Sequence, residues 1–449
     1  MRVERRNTRG ESAADGAMWL RGLVPSGDFV EDRVREIVFD VMQGGDEAVL
    51  RYTREYDTAG VDPRPLVVGE AELDGAIKQL PLEMVAGLQV AIANVAEVAH
   101  AGVDENVSVT LPQGQSVTLR EVPVESAAVY IPGGRAPYPS TAVMGVVTAR
   151  AAGVLNVVVC SPPGGDGQID PAILGTCRLL GVERVYRMGG AQAIAALAHG
   201  TKTVERVDVI VGPGNLYVQE AKRRCSSLVG IDGFAGPSDL MVVIDEKADP
   251  RLVALDLRAQ AEHGTASLVV AVSASPEALE SLSQEMQRLD QKPPEAESGV
   301  CALIEVTDVR AGIELANAFA PEHLQLIGAT PEALAPLVRT AGCLFVGAAA
   351  ATAFGDYVAG SNHILPTAGA ARFASGLSRR HFRRQMAEVR LGEVGGETVR
   401  KLAAAGAPIA RAEGFEWHAR SMEARAATPE EASAARVSPE TPVGENPQP

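Results

Sequence analysis

The sequence predicts an α/β protein: two similar units of mostly parallel sheet with flanking helices, set between helical N-terminal and C-terminal segments. Three observations predict it. From Ser126 onward short β-branched runs without polar alternation, such as AAVYIP, NVVVCSP and VDVIVGPG, read as strands buried on both faces. Ala-rich stretches of helical length separate these runs, which is the rhythm of a parallel sheet. That rhythm then restarts with DLMVVID, ASLVVAVS, VCALIEV, LQLIG and CLFVG, so a second unit matches the first in size, although no residue-level repeat connects them.

The elements follow in order. Residues 1–125 read as helices with a hairpin: Val30, Val34, Ile37, Val38 and Val41 recur at helical spacing before Gly44-Gly45, Ala48, Leu50 and Tyr52 open another stretch, and a further block runs from about Glu70 to Ala99. SVTLPQGQSVTLREV then alternates about Gln113-Gly114 as a hairpin does. Residues 126–236 make the first α/β unit and 237–375 the second. Residues 376–424, basic at their start, read as a helical segment. The Pro-, Glu- and Ala-rich residues 425–449 read as a disordered tail, too poor in apolar surface to order itself.

Composition excludes several classes. With 57 acidic and 41 basic residues among 449, the net charge of −16 disfavours a nucleic-acid surface, which needs clustered Lys and Arg. No run approaches about 18 uninterrupted apolar residues, and MRVERRNTRGESAADG lacks an apolar signal core, so no membrane association is expected. Five well-separated cysteines in apolar runs, with no C-x-x-C, read as reduced thiols of a cytoplasmic protein.

Ligands of open α/β sheets bind beyond the carboxyl ends of strands. In the first unit those positions hold Tyr130 with Gly133-Gly134, Gly189-Gly190-Ala191-Gln192, and Gly212-Pro213-Gly214-Asn215. Glycine lets a ligand approach the backbone, and the following helix N-termini offer N–H groups to an anion. Without a G-x-G-x-x-G, turn geometry alone and a cofactor site both remain open. In the second unit Gln260 and His263 share a helix face, Glu322-His323 follows Pro321 at a helix-to-strand junction, and Asp356 and His363 bracket GDYVAGSNH. His418 lies in EGFEWHAR. A single histidine is more often a surface or capping residue. Four of the seven, each at a junction with a carboxylate or amide nearby, point to a site. The others, His100, His199 and His381, read as structural. The nitrogen and oxygen set suits Zn²⁺ or a metal-free acid–base site, and spacing leaves both open. No G-x-S-x-G elbow occurs, and the cysteines lie inside strands or helices, so neither a serine nor a thiol nucleophile is expected.

Long collinear segments carry a resemblance: VYIPGGRAPYPSTAVMGVVTARAAGV, RMGGAQAIAALAHGT, VDVIVGPGNLYVQEAKR, GIDGFAGPSDL, RAQAEHG, APEHLQL, GDYVAGSNHILPT and AEGFEWHAR. From about residue 20 to about 424 the sequence resembles the histidinol dehydrogenases. The resemblance implies two incomplete Rossmann-like units and an intertwined homodimer that exchanges its C-terminal segments. It implies two successive NAD-dependent oxidations, L-histidinol to L-histidinal to L-histidine, the last steps of histidine biosynthesis. It further implies one Zn²⁺ per subunit on Gln260, His263, Asp356 and His418, with Glu322 and His323 as the acid–base pair. Tyr130, Gln192 and Asn215 would contact NAD. Ser238, Gln260, His263, His323, Asp356, His363, Glu413 and His418 would contact substrate, with Glu413 and His418 coming from the partner chain. RRHFRRQM is more basic than the family pattern, and the tail after about Arg425 has no counterpart in it. Two rival readings compete: a paralogue oxidising another small alcohol, such as a sulfonated diol, and a non-catalytic binding protein on the same fold. A carboxylate such as Glu413 suits an ammonium group and repels a sulfonate. A non-catalytic descendant is expected to have lost at least one of Glu322, His323 or the four ligands, and all are present.

Overall fold

A computed structural model describes residues 1–24, 30–102, 106–133, 136–233, 236–290 and 299–428. The chain divides into a larger unit, Met1–Val103 with Pro123–Arg383, and a smaller one, Asp104–Val122 with Arg384–Pro449. Nearly all of the expected tail, residues 429–449, lies outside the described residues.

Two parallel sheets organise the larger unit. Among the described residues the first has five strands, ordered Val185–Arg187, Asn156–Ser161, Ser126–Tyr130, Val209–Val211, Gly230–Ile231. Side chains alternate between its faces. Ala127 and Val129 join a core with the helices Pro139–Ala151, Pro171–Leu179 and Leu82–Ala101, whereas Ala128 and Tyr130 face the helices Glu31–Tyr56, Gly190–His199 and Leu216–Cys225. Both faces are covered by apolar side chains, which is why these strands read as unbroken apolar runs. The helices Glu31–Tyr56, Glu70–Ile77 and Leu82–Ala101 are thus outer layers of the first sheet. Leu82–Ala101 is long and apolar enough to cross a membrane by length and composition, and it packs Leu88, Ala91 and Val95 into the first of these cores.

The second sheet has six described strands, ordered Arg2–Asn7, Val300–Glu305, Leu268–Ser273, Asp239–Ile244, His323–Ile327, Cys343–Val346. Met241 and Val243 face the helices Ala13–Arg21 and Val309–Phe319, and Leu240 and Val242 face Pro250–Ala261 and Pro276–Asp290. Its edge departs from expectation. Residues 1–125 read as helices and a hairpin, yet Arg2–Asn7 pairs in parallel with Val300–Glu305. The segment RVERRN carries the charges that suit an edge strand, and those charges hide any apolar alternation.

In the smaller unit the expected hairpin is present, with Val107–Thr110 antiparallel to Ser116–Pro123. A second departure lies beside it: Arg383–Arg390, inside the segment 376–424 read as helical, is the third strand of that sheet. Its pairing partner is more than 250 residues away in sequence, where Gln385 Nε2 donates to Glu121 Oε1 at 3.1 Å and Arg120 meets Glu388 at 3.3 Å. A mostly exposed strand RRQMAEVR shows no buried face for periodicity to detect. The helices Glu397–Ala412 and Glu416–Ala426 pack on one another through Ala407, Ala410 and Ala419.

Candidate active site

The first sheet runs third-second-first-fourth-fifth in chain order, so its topological switch point lies between the strands ending at Tyr130 and Val211. Gly190 N–H donates to the Tyr130 hydroxyl at 3.2 Å, and buried Gln192 donates through Nε2 to Asp57 Oδ2 at 3.4 Å. Asn215 caps the helix Leu216–Cys225 by accepting from the N–H groups of Tyr217 and Val218 at 3.1 and 3.2 Å. Gly212 adopts φ 117°, and a Cβ there would collide with the Tyr130 carbonyl.

Beneath this crevice lies a clamp that motif reading did not single out. Lys222 Nζ donates to Gly212 O at 2.5 Å and to Asp232 Oδ1 at 2.7 Å, while Asp232 Oδ2 accepts from Gly212 N–H at 2.7 Å. Both polar groups of one residue's backbone are gripped by a buried ion pair, and Lys222 is only 1% exposed. The available signal was spacing: Lys222 shares a helix face with the buried Val218 and Cys225.

The second cluster sits at the amino ends of the second sheet's strands. Glu322 precedes and His323 opens the strand His323–Ile327, beside Ser238 and Asp239 at the start of Asp239–Ile244. Glu322 N–H donates to Asp239 Oδ1 at 2.7 Å, and Asp239 N–H returns to Glu322 Oε2 at 3.0 Å. That oxygen also accepts from Ser238 Oγ at 2.5 Å, and Ser238 Oγ accepts from Gln260 Nε2 at 2.5 Å. The amide oxygen of Gln260 is thereby left for another partner. Arg21 secures the arrangement from the N-terminal helix, donating to Asp239 Oδ2 at 2.7 Å and to Phe319 O at 2.7 Å.

His323 is buried against Phe345, with ring centroids 5.9 Å apart. Its Nδ1 donates to Asp239 O at 3.4 Å and lies 3.7 Å from Glu322 Oε2. Its Nε2 has no hydrogen bond among the described residues and lies 3.4 Å from Asp356 Oδ1. Asp356, on the short helix Thr352–Tyr357, accepts through its carbonyl from His363 Nδ1 at 2.8 Å, so His363 Nε2 is left to accept from Thr141 Oγ1 at 3.2 Å. Thr141 belongs to the first turn of Pro139–Ala151, at the carboxyl end of the first sheet. Asn362 Nδ2 reinforces the junction by donating to Met144 O at 3.1 Å. The carboxyl end of the first sheet therefore meets the amino end of the second.

Burial raises the proton affinity of Glu322. Burial opposes a charge on His323, but the carboxylates of Glu322 and Asp356 outweigh it and hold the imidazole above its ordinary value. Asp356 is held low: burial acts upward, and the close approach of His323, with the charges of His363 and His263 behind it, acts more strongly downward. Desolvation lowers His263 and His363, favouring neutral rings. Gln260, His263 and Asp356 thus present an amide oxygen, a neutral imidazole and a carboxylate, the donor chemistry a borderline cation takes. No group of three His, Cys, Asp or Glu capable of holding a metal occurs among the described residues. The remaining expected residues, Glu413 and His418, lie in the smaller unit, at the end of Glu397–Ala412 and in Glu416–Ala426. Of the three histidines read as structural, His100 bonds Ala96 O at 2.7 Å and His199 closes Gly190–His199. His381, expected on a solvated helix, instead accepts Ser378 N–H at 3.1 Å in a short 3₁₀ turn.

A sequence model of the histidinol dehydrogenase family matches residues 25–426. The chain belongs to that family. It is similar to the histidinol dehydrogenase of a Synechococcus strain, 41% identical over 401 residues that cover 88% of this chain and 92% of the relative. The Bacillus subtilis histidinol dehydrogenase is likewise 41% identical over 399 residues, covering 87% and 92%. The crystal structure of histidinol dehydrogenase from Elizabethkingia anophelis superposes with a TM-score of 0.86 at 29% identity, covering 95% of this chain and 98% of that one. Membership makes the protein an NAD-dependent oxidoreductase of the histidinol dehydrogenase type.

Proposed function

We propose that the protein oxidises L-histidinol to L-histidine in two NAD-dependent steps, retaining L-histidinal between them. The supporting observation is the buried Glu322-His323 pair, opened toward Asp356 and His363 where the two sheets meet. Tyr130, Gln192 and Asn215 would hold NAD at the switch point of the first sheet. Gln260, His263 and Asp356 would hold Zn²⁺ with His418 of the partner subunit, in a homodimer whose smaller units supply Glu413 and His418 across the interface. When bound, NAD supplies a hydride acceptor for each oxidation and zinc a cationic anchor for the substrate's imidazole and amine.

The chain's own groups do the rest. His323 removes the alcohol proton through Nε2 as hydride leaves the carbon that bears that hydroxyl, and the carboxylates of Glu322 and Asp356 stabilise the imidazolium that forms. For the second oxidation Glu322, made more basic by burial, takes a proton from the water that adds to the aldehyde. The His323 imidazolium returns its proton to the aldehyde oxygen as the water adds, and the neutral ring then removes a hydroxyl proton from the hydrate as the second hydride departs. Ser238 fixes the Glu322 carboxylate, and His363 and Glu413 receive the substrate's polar groups. Five free cysteines, four of them buried, fit a cytoplasmic enzyme. Incubation of the purified protein with NAD and L-histidinol should yield histidine and NADH; formation of neither would overturn the proposal.

A further inference from the structure

We propose that Asp57 is a cofactor-specificity residue whose carboxylate accepts the adenosine ribose hydroxyls and selects NAD over NADP. The inference rests on the dinucleotide reading of the first sheet. Sheets of this order commonly carry an acidic residue beyond the second strand for that ribose. Here the second strand, Asn156–Ser161, is followed by Pro162, Pro163, Gly164 and Gly165. The first carboxylate after it, Asp166, is exposed and accepts from Gln168 N–H at 3.0 Å.

Asp57 supplies the missing group from outside the strand-helix repeat. It closes the helix Glu31–Tyr56, which packs Val49 and Tyr52 into the core beneath the same crevice. The one hydrogen bond of its carboxylate among the described residues is the 3.4 Å contact from Gln192 Nε2, whereas an ionised carboxylate has roughly four acceptor sites. The neighbours locate it. Gln192 lies against Gly190, whose N–H meets the Tyr130 hydroxyl, and Gly189 is packed on Pro162 so closely that a Cβ would collide with it. The carboxylate therefore stands near the tips of the second and third strands, the side of the switch point opposite the Gly212–Asn215 turn. Its charge also reaches the Tyr130 hydroxyl. Burial pushes Asp57 up to about 7, as expected of a carboxylate with too few donors around it. A ribose diol would bring two O–H donors. The 2′-phosphate of NADP would instead bring like charge into a partly desolvated pocket.

The test is direct titration of NADH and NADPH, followed by nicotinamide fluorescence, on the wild-type dimer, Asp57→Asn and Asp57→Ala, with 2′-deoxy-NADH as a further ligand. The wild type should prefer NADH. Asp57→Asn should lose about tenfold or more in NADH affinity, as for a hydrogen bond to a charged group, and should lose less for NADPH, narrowing the preference. Removal of the 2′-hydroxyl should weaken binding to the wild type and have little effect in Asp57→Asn. L-Histidinol affinity and melting temperature serve as controls for folding, and Asp57→Asn keeps an amide able to meet Gln192. Parallel loss of both dinucleotides with an unchanged preference, or an equal 2′-deoxy effect in both proteins, would overturn the role of Asp57. A wild type that binds neither dinucleotide would overturn the dinucleotide reading, and the role of Asp57 with it.

Discussion

The two sheets of the larger unit share one strand order, apart from the added edge strand Arg2–Asn7, yet present opposite ends to the site. The first uses its carboxyl end, where glycine turns leave backbone accessible. The second uses its amino end, where Ser238, Asp239, Glu322 and His323 converge. What happens at the second sheet's own carboxyl end explains the difference. There Asp245 Oδ1 accepts from Lys247 N–H at 2.9 Å and Glu332 Oε1 accepts from Gly328 N–H at 3.0 Å. A Cβ at Gly328 would collide with the Asp245 carboxylate. Carboxylates occupy the crevice and take the N–H groups that a phosphate would need. The topology is the same; the side chains at the strand ends decide which crevice can receive an anion.

The largest effects should come from the amino-end cluster. His323→Asn should slow both oxidations by about 10²–10⁴-fold, the range for loss of a general acid–base group, whereas Glu322→Gln should slow aldehyde oxidation more than alcohol oxidation. Rapid-mixing measurement of each step, supplied with histidinol or histidinal, checks this division, and equal losses in Glu322→Gln would break it. His263→Ala should lower zinc content and activity together, measured by elemental analysis beside turnover; full activity in metal-free protein would remove the metal from the account.

At the carboxyl end of the first sheet, Lys222→Met strands the buried Asp232. A loss of about 3–5 kcal/mol in stability is expected for breaking a buried pair, with partial recovery in the double variant Lys222→Met/Asp232→Asn. In the folded fraction the NAD affinity should fall while L-histidinol affinity holds. Equal falls would mean that the clamp does not act on the crevice separately.

A smaller effect concerns pH. The folded-state value of Asp57 lies above its ordinary one, so its contribution to stability is full below the ordinary carboxylate value and lost as pH rises through about 7. The melting temperature of Asp57→Asn relative to wild type should therefore climb between pH 4 and pH 8. A constant difference across that range would contradict the buried carboxylate. Smallest of all, Glu332→Gln should leave NAD affinity unchanged, and a measurable change would mean that the second crevice is not closed to the dinucleotide.

Much of this was legible in the sequence because both sheets are buried on two faces, so the runs at Ser126–Tyr130 and Asp239–Ile244 stand out as unbroken apolar segments. The junction residues were also legible: Gly264 and Pro321 mark the ends of helices leading into strands, and the polar residues beside them lie at the second sheet's amino edge. Arg2–Asn7 and Arg383–Arg390 were not, since their charges are exposed and their partners lie hundreds of residues away. Nor were Asp57, Lys222 and Asp232, whose roles depend on which strand tip they stand beneath, a fact set by packing rather than by spacing. Arg21 was equally hidden: its pairing with Asp239 spans more than 200 positions.

The central claim is that a dinucleotide crevice on one sheet serves a single acid–base pair on the other through two oxidations. The ratio of NADH formed to L-histidinol consumed tests it most directly. Two NADH per histidinol, with histidine as the product and no free aldehyde accumulating, is the expected result; one NADH per histidinol, with histidinal released, would contradict it.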